Sequence, residues 1–227
     1  MLVTRSRSRS DTSASAPATS VVGLPFAHLN LRRNPFGEPT RDERGEMAVV
    51  DVDEHIDVLR SNSSFAVQFV GNCGRGKTTH MLALHRAFPG SPYVYVPEDG
   101  PVPRMPTPAE DGPLFIDEMQ RVPRRTRREV MRRGRPLVIG THRDHTRELR
   151  RHGYAVETIR PAAEMDAARL REIVHRRIEW ARRGDGDVPR VSESTISSLL
   201  SRYGDDVRAI EGHLYDVFQQ LERIDNV

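Results

Sequence analysis

Apolar positions divide the chain into three stretches with different periods. Residues 1–22, MLVTRSRSRSDTSASAPATSVV, are built from Ser, Thr, Arg and Ala with almost no large apolar groups, so ordering them has little to offset its entropy. A disordered tail is expected. Its Arg/Ser-rich, acid-poor character also suits an organelle transit peptide, although it lacks a clear apolar face. From Phe65 onward, short apolar runs alternate with helical patterns. Phe65-Ala-Val-Gln-Phe-Val70 reads as a strand that runs into a glycine-rich loop, and residues 78–88 as the helix after it, closed by Pro89-Gly90. Tyr93-Val-Tyr-Val96, Leu114-Phe-Ile116, Leu137-Val-Ile139 and Ala155-Val-Glu-Thr-Ile159 read as four more strands, with helices expected at 124–133 and 143–152. This alternation predicts the α/β class, with a mostly parallel five-stranded sheet covered on both faces.

Beyond Pro161 the period is purely helical. Leu170, Ile173, Val174, Ile178 and Ala181 form one stripe; Ile196, Leu199, Leu200 and Tyr203 form a second, closed by Gly204; Val207, Ile210, Leu214, Val217 and Phe218 form a third. Gly184-Asp-Gly186 separates the first two. The expected organisation is a tail (1–22), a leader and linker (23–62), an α/β core (63–162) and an all-helical lid subdomain (163–227).

Composition narrows the classes. No apolar run approaches the roughly 18 to 20 residues of a spanning helix, and mean hydropathy is −0.59 with 30% charged residues, so no membrane partner is expected. The lone cysteine, Cys73, can make neither an internal disulfide nor a Cys-based zinc site, which points to a reducing, cytoplasmic setting. Charge is uneven: residues 121–151 hold twelve arginines against Glu129, Asp144 and Glu148, a local excess of +9. Such a block suits contact with DNA phosphates or a plain solvated face.

Lys77 is the only lysine among 35 Lys+Arg. It lies in Gly71-Asn72-Cys73-Gly74-Arg75-Gly76-Lys77-Thr78, followed by Thr79, a G-x-x-x-x-G-K-[ST] phosphate-binding pattern. Glycines there let successive N–H groups face phosphate at a helix N-terminus, while a compact ammonium acts as a point charge where a planar guanidinium would not fit. Lys77 is expected on the β and γ phosphates of a nucleoside triphosphate and the Thr78 hydroxyl on Mg²⁺. The apolar strand that ends in Asp117-Glu118 supplies the complementary half: Asp117 for the Mg²⁺ shell, Glu118 to orient and deprotonate a water.

With these motifs the chain resembles the AAA+ ATPases, in particular bacterial members of the replication-initiator and secretion or transposition type. Leu137-Val-Ile-Gly-Thr141-His142 looks like the strand that ends in the sensor-1 residue, with Thr141 in that place. Asp205-Asp206-Val207-Arg208 looks like the start of the sensor-2 helix, whose arginine would be Arg208. The leader around Asn34-Pro35-Phe36 is similar to the segment that walls the adenine pocket. The resemblance implies an arginine finger given by a neighbouring subunit of a homo-oligomer, for which Arg150 and Arg151 are candidates and Arg147 a further one. One departure stands out: a Pro-rich stretch from Pro97 replaces the usual crossover helix before Leu114, which places the pore loop and a standard ring assembly in question. Mg²⁺-dependent ATP hydrolysis coupled to lid movement and to DNA or a protein partner is the leading expectation. The alternatives are an ATP-dependent assembly switch without hydrolysis and a small-molecule phosphotransferase. Cys73 reads as a filler or a redox-sensitive thiol, and His142-x-x-His145 as solvated turn chemistry or half of a metal site.

Overall fold

The computed structural model describes residues 24–106, 112–161 and 165–227, so the expectation for the 1–22 tail lies outside the described residues. Five strands, β1 (Phe65–Val70), β2 (Tyr93–Tyr95), β3 (Leu114–Asp117), β4 (Leu137–Thr141) and β5 (Ala155–Ile159), form one sheet in the order β2-β3-β4-β1-β5. Every pairing is parallel. The central strands β3 and β4 are buried at each position, as their unbroken apolar runs require, whereas β5 is an edge strand with no fully buried residue. Gln68 is the polar exception inside β1. Its amide donates to Asp144, Thr146 and Thr158 and accepts from the His145 N–H, so it holds the turn after β4 against β1 and β5.

Helices cover both faces. Val67, Phe69, Phe115 and Val138 meet Leu59 of α2 (Asp53–Ser61) and Met81 and Leu84 of α3 (Lys77–His85). On the other face, Ile116, Leu137 and Ile139 pack with Val130 and Met131 of α4 (Arg124–Arg132) and Leu149 of α5 (Thr146–Arg151). The Pro-rich stretch joins this second face: Val96 and Met105 are buried there, and Arg121 and Arg133 donate to the carbonyls of Val96, Met105 and Pro106. Over its described part, the parallel crossover from β2 to β3 is thus an extended segment held by arginines in place of a helix.

Residues 24–62 divide into two parts with different partners. Leu29, Leu31 and Phe36 enter the core of the C-terminal helices α6 (Ala167–Ala181), α7 (Glu193–Tyr203) and α8 (Val207–Gln219). These helices are capped by Asp166, Ser192 and Asp206, each accepting the N–H three residues on. The second part holds α1 (Arg41–Glu46), which begins in a Thr40–Glu43 capping box, and α2. Gly45 lets α1 approach α3 closely, since a Cβ there would lie 3.2 Å from the Leu82 carbonyl oxygen. No helix among the described residues is long and apolar enough to cross a membrane.

Arg177 fastens the leader to the helical subdomain. It is 5% exposed, donates from Nε to Pro35 O (2.9 Å) and from NH2 to Gly37 O (2.8 Å), and lies 3.4 Å from the Glu211 carboxylate. Burial lowers the arginine's pKa and raises that of Glu211, with each charge opposing the other's shift. We predict that Arg177→Ala destabilises the protein by about 3–5 kcal/mol, because it strands Glu211 and two carbonyls. Chemical denaturation measures this, and a loss below about 1 kcal/mol would show that the leader is held by apolar packing alone.

Candidate functional site

A parallel sheet gathers the carboxyl ends of its strands on one edge. Strand order reverses around β1, because the chain leaves β1 for the far edge at β2 and returns through β3 and β4 before passing β1 to reach β5. Open α/β sheets present their ligand crevices at such a point. The loop that leaves β1 there is tied to β4 by Gly71 N–H donating to Thr141 O (3.1 Å), and Gly74 and Gly76 have φ of 80° and 81°. A Cβ at Gly74 would also lie 2.6 Å from the Asp206 carboxylate. Loop N–H groups and the start of α3 together favour an anion.

Lys77 opens α3 and is buried, its Nζ donating to Asn72 O at 2.8 Å. Burial lowers its pKa, while the charges of Glu118 and Asp117 oppose that shift. Thr78 Oγ1 donates to Asp117 Oδ2 at 2.8 Å, and Tyr93 donates to the same oxygen at 3.1 Å. Burial, reinforced by Asp117, raises the tyrosine's pKa far above its ordinary value. Asp117 Oδ1 accepts the Glu118 N–H (3.1 Å), and room for this carboxylate comes from Gly140 on β4, where a Cβ would lie 2.5 Å from Oδ1.

Glu118 adopts a left-handed backbone, φ 66° and ψ 42°, which costs a non-glycine residue on the order of 1 kcal/mol. Its carboxylate accepts from Gln120 Nε2 at 2.6 Å and lies 3.5 Å from Arg121 and 3.7 Å from His142 Nε2. Gln120 also accepts the His142 N–H, which joins the ends of β3 and β4. Thr141, fully buried, turns into its own loop and bonds the Arg143 backbone. The side chain reaching the glutamate from this strand end is therefore His142. Neither Gln120 nor His142 stood out in the sequence as a neighbour of Glu118, because the two approach it through the sheet rather than along the chain.

The helical subdomain closes one side. Asp205 forms an ion pair with Arg75, and Arg208, exposed on the first turn of α8, lies 3.4 Å from Cys73 Sγ. Lys77, Thr78, Glu118, Arg121, His142 and Arg208 line a cleft of about 350 Å³. Beside it is a cavity of about 70 Å³ walled in part by Met47, Val49, Pro161, Met165 and Ile173, and the two share Arg44, Arg75, Gly76, Thr79, Val207 and Glu211. No known protein family and no curated protein matches the chain.

Several expected residues stand elsewhere. Asn34, Pro35 and Phe36 line neither cavity: Asn34 donates to Tyr215 O and Gln219, and Phe36 packs edge-on against Phe218 at 5.0 Å. The leader and linker region reaches the cavities instead through Glu38, Arg44, Met47, Val49 and Val50. Arg150 and Arg151 are exposed on α5, with Arg147, and none of the three lines the cleft. His145 pairs with Glu148 (3.1 Å), which also holds Arg127, so His142 and His145 face different acids. Of the basic block, Arg124, Arg125, Arg128 and Arg132 are exposed along α4.

Gly140→Ala should displace Asp117 from its bonds to Thr78 and Tyr93. A loss of about 1–3 kcal/mol in urea unfolding is expected from such overpacking; wild-type stability in that variant would show that the strand has more room than the 2.5 Å contact implies.

Proposed function

We propose that the protein is a Mg²⁺-dependent ATPase of the AAA+ type. The observation that carries this reading is the Thr78–Asp117 hydrogen bond at the head of α3, with Lys77 and Glu118 on the same cleft. A hydroxyl and a carboxylate are hard oxygen donors, the kind Mg²⁺ takes alongside phosphate and water. Bound there, the ion would neutralise charge that builds up on the β and γ phosphates. The loop N–H groups and Lys77 would hold the same phosphates, and the apolar cavity walled by Met47, Val49 and Ile173 suits a flat aromatic base.

Glu118 is the residue for the water. Its carboxylate accepts the proton as the water oxygen bonds the γ phosphorus, and the bond from that phosphorus to the bridging oxygen breaks to leave ADP and phosphate. Gln120, Arg121 and His142 fix the carboxylate's direction. Because these groups also engage its oxygens, an ATP-dependent switch that assembles without turnover is the second reading. Arg208 and the Arg75–Asp205 pair would pass the state of the loop to the helical subdomain. Arg150 and Arg151, exposed and away from the cleft, fit the finger role only on the cleft of a second copy. The exposed arginines of α4 are the surface for DNA, and binding through them would weaken steeply with salt.

The test compares ATP binding and turnover in wild type, Glu118→Gln and Lys77→Arg, with and without duplex DNA. Glu118→Gln should bind ATP and lose about 10²–10⁴-fold in turnover, the range for removal of a general base. Turnover equal to wild type would remove Glu118 from this role. Lys77→Arg should lose ATP binding, since the buried place beside Asn72 admits a compact ammonium and not a planar fork; normal binding and turnover would overturn the role given to the lysine.

A further inference from the structure

A second cluster of chemistry-bearing side chains stands apart from the glycine loop. The first turn of α2 carries Glu54 and His55, and Glu157 lies in the middle of the edge strand β5, in register with Val67 of β1. One ligand atom from each of the three residues lies within 4.8 Å of the other two. His55 is 3% exposed, and among the described residues neither of its ring nitrogens has a hydrogen-bond partner. Nε2 is 3.3 Å from Glu157 Oε1 without hydrogen-bond geometry. A buried imidazole with both nitrogens unsatisfied needs a reason, since such groups are nearly always paired.

The neighbouring cations are engaged by other groups. Arg160 pairs with Asp144, Arg176 with Glu172 and the Ala48 carbonyl, and Arg169 with the Val49 carbonyl and His80. Two carboxylates and one imidazole nitrogen thus converge with those arginines held elsewhere. An imidazole with two carboxylates is a donor set for a borderline divalent ion, where Mg²⁺ or Ca²⁺ prefers oxygen alone.

We propose that Glu54, His55 and Glu157 form a Zn²⁺ site. Zinc takes nitrogen and carboxylate oxygen at about 2.0–2.2 Å in tetrahedral sets, and three protein ligands leave one position for water or a ligand. The three residues also help to line a cleft of about 950 Å³. His55 is the fixed member; Glu54 is exposed and Glu157 half-exposed, so both carboxylates have the freedom to close on an ion. Such an ion would fasten the start of α2 to the edge of the sheet. The inference does not depend on the nucleotide reading, since none of the three residues lines the glycine-loop cleft.

The experiment titrates Zn²⁺ into the metal-stripped full chain against a chromophoric chelator, with Mg²⁺ in large excess to occupy hard oxygen sites. One equivalent should bind and raise the thermal midpoint. His55→Gln should abolish that binding, and Glu54→Gln, a change at an exposed position that leaves the fold intact, should weaken it tenfold or more. Absence of saturable binding in wild type overturns the proposal. So does binding that is unchanged in Glu54→Gln and Glu157→Gln, or lost on His142→Ala, since either result places the ion elsewhere.

Discussion

Asp117 is the group on which the arrangement of the site depends. A carboxylate 1% exposed at the end of a central strand must have each oxygen satisfied, and the partners it takes come from different elements. Thr78 brings the head of α3, Tyr93 brings β2, and the N–H of Glu118 brings the chain's own next residue. Gly140 gives up a side chain on β4 so that the carboxylate fits between strands. The glycine loop is thereby set between β4, where Thr141 O accepts the N–H of Gly71, and β3, where Asp117 accepts the hydroxyl of Thr78. The left-handed turn at Glu118 comes directly after this anchor, and the Glu118 carboxylate lines the cleft.

The helical subdomain touches the loop at the same place. Asp205 pairs with Arg75, Asp206 crowds Gly74, and Arg208 reaches Cys73, so the turn that leads into α8 and the start of that helix lie against three successive residues of the loop. Nearby in the same subdomain, Arg177, paired with Glu211, donates to the carbonyls of Pro35 and Gly37 in the leader. On the proposed reading, a change in loop conformation has a short path to α8 and, through Glu211, to the leader.

Strand positions were legible because central parallel strands are unbroken apolar runs, and each of the five expected runs is a strand of the sheet. The three C-terminal stripes likewise became α6, α7 and α8. Helices α1 and α2 were not foreseen. Arg41–Glu46 is almost wholly charged, and only its Thr40–Glu43 capping box carried a signal. Within the site, the residues that form a linear motif were legible, and those that matter through space were not. Gly140 looks like an ordinary strand residue until Asp117 is beside it, and Gln120 and His142 acquire meaning only when β3 and β4 lie side by side. Asn34 and Phe36 show the converse, since a segment that resembles a nucleotide-pocket leader packs against α8 of the helical subdomain.

Arg121 joins the one unusual feature of the fold to the chemistry of the cleft. It donates to Val96 O and pairs with Glu98 at the start of the Pro-rich crossover, and its guanidinium also lies 3.5 Å from Glu118. A helix in that crossover would satisfy its own carbonyls and leave no such acceptor for an arginine. An extended, proline-rich segment instead needs side-chain donors, and Arg121 and Arg133 supply them. The absence of a helix in the described part of the crossover is therefore what gives Arg121 a partner on each side. On the proposed reading, a partner that pulls on residues 96–98 would move the arginine, and with it a positive charge that helps to fix the water-activating carboxylate.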